Sequence, residues 1–515
     1  MSASGTAVPA TGGPVARSGI AATARGGWWG FLGSTINAVF GYLLVTLVTR
    51  ALGAYGAGAV FTGVAAFTIL SHTCKLGADT GLVRFVSRDV ATGGGREVGA
   101  LLRSAVVPGT AASTAVAALL FLSPWTATAL LPNLAQEDAV ALVRLFALFL
   151  PVATITLILL GATQGYGTVV PFVGVEQIGK PVLRVLIAVP VALLAPGALG
   201  LAAAWLAPSL AGGLVAWFAL RRCRRTRCSE RAGPPEAVAA GRGFWAFSAP
   251  RAISSVFDIS SVWMGVILLS VLATSEEAGV YTAVGRVIAA ATLIQLAIRL
   301  AVAPEISRLL AVGETTQACH LHRVSTRWIV LFSWPLFVLL GSFPGTVLSL
   351  FGPEFGQGAV ALVVLCVASA INIGVGNAQT MLLMAGKSSW HLGVTGVAFA
   401  VQLTVGVLTI PRAGVLGAAL STGAAIVVEN LLAAALVRRY PGFTTVDRGY
   451  RAAACVGLCF TAVLVVPIRL VTGDTATGLA AGIVLGAGAL SISLCRFRTV
   501  LAVGELVTVL RKRAS

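Results

Sequence analysis

Long stretches without a single charged residue recur along the whole chain, separated by short polar segments. A helix rises 1.5 Å per residue, so about 20 consecutive apolar residues cross the hydrocarbon core of a bilayer. Fourteen runs approach or exceed that length: 28–49, 58–76, 101–122, 140–162, 170–194, 197–220, 245–273, 279–302, 327–350, 359–384, 390–410, 414–436, 452–472 and 476–495. Glycine and proline are scattered through them, which membrane helices tolerate because neighbouring helices satisfy the freed backbone groups. The pattern predicts an all-α integral membrane protein with about 14 transmembrane helices.

The polar positions give these spans an orientation. Arg221 to Arg242 holds seven of the 36 lysines and arginines, and it separates two apolar halves of similar size. Clustered arginine beside a span stays on the cytoplasmic side. With the N-terminus inside, outer loops carry only Arg50, Arg412 and Arg469, whereas Glu137, Asp138, Glu276 and Glu277 fall outside. An even number of spans then leaves both termini in the cytoplasm. Hydrophobic residues make up 57% of the 515 and charged residues 10%, with mean hydropathy +0.93, far from the composition of a soluble domain. The net charge of +18 therefore reads as topology and as affinity for anionic headgroups, not as a nucleic-acid surface.

The two halves resemble each other. GGWWGFLGSTIN at the start of the first span matches GRGFWAFSAPRAIS at the seventh, and AYGAGAVFTGVAAF at the second matches EAGVYTAVGRVIAA at the eighth. An offset of roughly 220 residues maps spans one to six onto seven to twelve, and both copies start inside, so the repeat is parallel. The expected division is a disordered cytoplasmic tail (1–27), a first lobe (28–220), an Arg-rich cytoplasmic loop (221–244), a second lobe (245–438), an added helix pair (439–495) and a basic cytoplasmic tail (496–515). Residues 496–513 read as a partly amphipathic helix lying on the inner surface.

Fourteen spans arranged as six, six and two resemble the polysaccharide (O-antigen, Wzx-type) flippases of the multidrug/oligosaccharidyl-lipid/polysaccharide exporter superfamily. Leu52-Gly53 through Gly56, LGADTGLVRFVSRDVATG from Leu76 to Gly93, and LSLFGPEFGQGA from Leu348 to Ala359 are similar to that family's segments. The resemblance covers about Trp28 to Cys495. It implies a flippase of a bacterial plasma membrane that carries an anionic, polyprenyl-diphosphate-linked oligosaccharide outward for surface polysaccharide biosynthesis, alternating a cavity between two lobes. Membrane lipid, a glycan polymerase and glycosyltransferases are the implied partners. The alternative on the same fold is a cation-coupled multidrug or metabolite exporter.

Ionisable side chains inside a bilayer are costly and mark cavities or partners. The fifth span carries Glu176, Lys180 and Arg184 at four-residue spacing, hence on one helix face. The seventh carries Arg251 and, two turns on, Asp258; the eighth carries Arg286 and Arg299; the twelfth carries Glu429. Arg251, Arg286, Arg184, Lys180 and Arg299 are the expected substrate-binding cations, since a forked guanidinium suits a diphosphate. Asp258, Glu176 and Glu429 are the expected ion-coupling carboxylates. Interhelical ion pairing and snorkelling are the competing readings, the latter strongest for Arg144 and Arg299 near span ends. Asp79 and Arg84, after the second span, can instead brace the fold, and Asn37, Asn372, Asn377, Gln379 and Gln402 are weaker sugar-contact candidates. Cys223 with Cys228, and His320 with His322, lack the further ligands of a metal site. No nucleophile with its base and no Walker-type phosphate loop is present, so neither an enzyme nor a cofactor is expected.

Overall fold

The computed structural model describes residues 14–93, 98–227, 237–311, 314–376, 388–437 and 447–496. Every regular element among them is helical. Ten continuous helices are long and apolar enough to cross a membrane. Two of them, Trp29–Cys74 and Trp390–Val437, each contain two spans joined at a single non-helical glycine, Gly53 (φ 66°) and Gly414 (φ 50°). A further span is bent by 40° between Ser275–Ala291 and Leu293–Arg299, and the apolar helix Ala476–Arg496 completes the fourteen.

Positive φ is what allows these two reversals to be so short, because only glycine adopts it without strain. The sequence expects loops of several residues at both places; the chain turns on one residue instead. The fifth span also departs from a plain helix. Val173–Gly179 is π-helical, and Lys180–Leu194 continues it as an α-helix.

Several boundaries move. The first helix begins at Pro14, not at Trp28, so residues 14–27 are helical where a disordered tail is expected; alanine in this stretch favours helix, and residues 1–13 lie outside the described residues. The Arg-rich loop narrows, since helix runs through Arg227 and resumes at Ala237. The ninth helix starts at Thr315, ahead of the apolar run at 327. The expected surface helix after Arg496 lies outside the described residues, as do Cys228, Asn377 and Gln379.

The two lobes meet at both ends of the bundle. At the end away from Arg221, the second span packs against the eighth through glycine: a Cβ on Gly58 would fall 1.6 Å from the Ser275 carbonyl oxygen. Nearby, Arg50 Nε donates to the Leu350 carbonyl at 2.9 Å, and Asn133 Nδ2 donates to that of Ser270 at 3.1 Å. At the Arg221 end, the helix Ala78–Gly93 packs on the seventh span. There the Arg84 guanidinium lies 4.3 Å from the Phe247 ring centre, and Phe85 stacks edge-on against Phe244. Lys75 and Asp79 pair at 2.7 Å one turn earlier. Arg84 therefore braces the two lobes, while Asp79 pairs within its own segment.

Candidate functional site

Between the two closed ends, two arginines from opposite lobes face one small cavity of about 50 Å³, lined by Asn37, Phe40, Gly41, Phe61, Pro181, Arg184, Trp205 and Arg286. Arg184 on the fifth span donates from Nε to the Trp205 carbonyl at 3.0 Å, and its guanidinium lies 3.8 Å from that indole's centre. Trp205 is itself wedged against Phe67 and Phe146, with ring centres 5.6 and 6.2 Å away. An aromatic platform thus holds one guanidinium still. Arg286 crosses from the eighth span, 5.5 Å from the Trp263 ring centre, and points at Gly41, where a Cβ would be 3.8 Å from Nη1. The two guanidiniums lie within electrostatic range of each other.

Glu176 and Lys180 do not join this cavity. Lys180 donates to Glu176 at 2.5 Å, and its stem lies against Gly212 of the sixth span. The spacing expectation holds for that pair, while Arg184, one turn on, turns to Trp205. In this structure Lys180 and Glu176 neutralise each other.

Arg251 does not line this cavity. It shares the seventh span with Asp258, and the two interact at longer range without a direct ion pair. Buried His391 of the eleventh span completes that electrostatic group. Its Nδ1 has no hydrogen-bond partner, and sequence reading missed it because nothing local distinguishes a lone histidine at the start of an apolar run. Arg299 is exposed and Glu429 half-buried, neither lining the Arg184–Arg286 cavity. Arg144 donates to the Phe121 carbonyl at 3.0 Å. Gln402 Nε2 donates to the Ser261 carbonyl at 2.9 Å and to Thr422 at 3.2 Å, knitting the second lobe.

A larger, almost wholly apolar groove of about 650 Å³ runs beside the cavity, walled by the first, eighth, ninth, thirteenth and fourteenth spans. Phe332, Leu336, Leu339, Val465, Ile483 and Leu490 contribute to it. The groove and the cavity share their partition: Gly41 and Arg286 line the cavity, and their neighbours Tyr42 and Val287 line the groove. The cavity and the groove thus draw on adjacent positions of the first and eighth spans. Among the described residues no cluster of His, Cys, Asp and Glu is arranged to hold a metal ion.

A family model described as polysaccharide biosynthesis protein matches residues 23–310. No curated protein matches the chain in sequence. Among solved structures, the chain is similar in fold to the lipid II flippase MurJ in an inward closed conformation. The TM-score is 0.72 at 11% identity, over 91% of this chain and 98% of that one. A Vibrio cholerae MATE transporter, VcmN, gives 0.58 at 17% identity, over 83% and 99%. A MOP superfamily transporter from Pyrococcus furiosus gives 0.56 at 16%, over 85% and 96%. At these identities the likeness is one of fold.

Proposed function

The chain belongs to the polysaccharide biosynthesis protein family, and from that premise we propose that it flips a polyprenyl-diphosphate-linked oligosaccharide across the bacterial plasma membrane by alternating access. The observation that carries this reading is the shared partition between the Arg184–Arg286 cavity and the apolar groove. A lipid diphosphate needs cations for its head and hydrocarbon for its tail, and here two spans present both. Arginine supplies forked, charge-assisted donors to phosphate. The long groove gives a polyprenyl chain somewhere to lie while its head is out of the headgroup region. Contact between the lobes at both ends fits an occluded stage of the cycle.

The same charge weighs against cationic drugs as cargo, since two desolvated guanidiniums repel them. Asp258, Glu176 and Glu429 remain the proposed coupling carboxylates, with Lys180, Arg251 and Arg299 as further contacts along the cargo's route. We place Arg221–Arg227 and both termini in the cytoplasm, where an even span count and the arginine bias put them.

Deletion of the gene tests the assignment. A surface glycan should disappear from the outside while its lipid-linked precursor accumulates inside. Absence of the precursor itself would place the protein in synthesis and overturn the reading.

A further inference from the structure

At the Arg221 end of the second lobe, the ninth and thirteenth spans pack side by side, and two arginines of the ninth meet an acid that opens the thirteenth. Arg323 and Arg327 lie a turn apart on the ninth helix. Asp447 caps the thirteenth, accepting the Tyr450 backbone N–H at 2.7 Å, and Arg448 and Arg451 follow it. Arg327 donates to Asp447 and lies over Gly449, where a Cβ would come 2.4 Å from the guanidinium carbon. Arg323 lies within electrostatic range of the same carboxylate. Burial pushes the Asp447 carboxyl up, but the hydrogen bonds from Arg327 and Tyr450, with the Arg327 and Arg323 charges, outweigh it and hold the group below the usual carboxylate range. That ionised group is already engaged by Arg327 and by the helix cap.

Two features mark this cluster as an incomplete anion site. The Nε atoms of both Arg323 and Arg327 are buried without a hydrogen-bond partner, a state that native structures rarely leave unexplained. Arginines placed only by orientation bias would keep their donors in water. The second feature is the surface beside the cluster. Arg448, Arg451, Cys455 and Leu458 are all exposed, at the three- and four-residue spacing of one helix face. Cations thus stand at the helix mouth, with apolar side chains one and two turns further into the membrane.

We propose that this basic surface binds an anionic phospholipid, its phosphate held by Arg323, Arg327 and Arg451 and an acyl chain lying along Cys455 and Leu458. The charge excess selects an anionic headgroup over a zwitterionic one, and the adjoining apolar face selects a lipid over a free anion. Tyr450, which donates to the Gly374 carbonyl at 3.0 Å, ties the site to the tenth span. A bound lipid therefore clamps three spans of the second lobe. The site stands independently of the transported cargo.

The test uses the purified full-length protein in neutral detergent, with its melting temperature followed as phosphatidylglycerol, phosphatidylcholine or inorganic phosphate is added. Phosphatidylglycerol should raise it saturably, and the other two should not. Arg323→Gln and Arg451→Gln should each raise the half-saturating lipid concentration roughly tenfold, while Arg222→Gln, an exposed arginine elsewhere on the same end, should not. Arg451 is exposed, so its variant folds even if Arg323→Gln does not. An equal response to phosphatidylcholine, or an unchanged response in Arg451→Gln, would overturn the site. A full response to inorganic phosphate would overturn its assignment to lipid.

Discussion

Gly58 and Gly279 pack backbone against backbone across the two lobes, and they do so reciprocally. A Cβ on Gly58 would lie 1.6 Å from the Ser275 carbonyl oxygen and 2.9 Å from Gly279 N; one on Gly279 would lie 2.1 Å from the Ala54 carbonyl oxygen and 3.0 Å from Gly58 N. Ala54 and Ser275 are separated by the same 221 residues as Gly58 and Gly279. The contact is what a two-fold relation between parallel repeats produces where its axis passes between them, and it sharpens the offset read from the sequence.

No side chain fits that seam, so enlarging it should hold this end apart. Gly58→Leu is expected to abolish glycan export while leaving the protein expressed. A cysteine placed at Asn37, in the Arg184–Arg286 cavity, should then react with a membrane-impermeant maleimide from outside the cell; in the otherwise unaltered protein it should react far more slowly. Equal labelling in both would mean that the seam does not gate the cavity.

Arg184 and Arg286 are predicted to act as a pair on the cargo's diphosphate. Each charge-assisted contact to phosphate contributes about 1.5–3 kcal/mol, so Arg184→Ala or Arg286→Ala should weaken transport roughly ten- to a hundredfold. Lysine at either position should retain part of it, because the charge survives and the fork does not. Arg286→Lys should tolerate the change better than Arg184→Lys, whose Nε bond and indole stacking to Trp205 both require a guanidinium. Export measured at matched expression checks the order.

Sequence pattern located the spans because the bilayer imposes it: every crossing helix must be long and apolar, whatever it packs against. It located the charged candidates for the same reason, since ionisable residues are rare in such runs. It did not show which of them meet. Arg184 and Arg286 come from different lobes, and their encounter depends on the lobes' docking, which leaves no local signal. Trp205 reads as one more apolar residue in an alanine-rich run until its carbonyl and ring are seen to hold Arg184. The one-residue reversals at Gly53 and Gly414 were hidden for another reason, because a glycine among 59 in the chain carries no mark of its φ angle.

The seventh span poses a separate question. Two turns separate Arg251 from Asp258, a spacing at which a simple intrahelical partnership would make the pair dispensable. The structure shows no direct ion pair between them, and His391 from the eleventh span enters the same electrostatic group. The double change Arg251→Ala with Asp258→Ala should therefore fail to restore export lost in either single variant. Full rescue would reduce Arg251 to a structural counter-charge.

Asp474 gives the protein an acid-sensitive joint. It sits in the turn between the last two spans and accepts from Gly345 N at 2.9 Å, Thr346 N at 3.0 Å and Thr346 Oγ1 at 2.7 Å, fastening that helix pair to the end of the ninth span. Burial raises its pKa, but the Thr346 and Gly345 hydrogen bonds, with the Arg469 charge 3.8 Å away, outweigh this and hold the carboxyl below its usual range. A carboxylate whose pKa is depressed by folding contributes stability wherever it is ionised in the folded state. The contribution is complete above the unfolded pKa and is lost as pH falls through the lower, folded one. Asp474→Asn keeps the shape and one acceptor but not the charge, so it mimics the protonated form. At neutral pH it should lower stability by about 1 kcal/mol, the scale of a lost helix cap. The difference in melting temperature between the two proteins should hold constant down to the ordinary carboxylate range and close only below it. A difference that does not change with pH would mean that the fastening depends on the acceptor geometry and not on the charge.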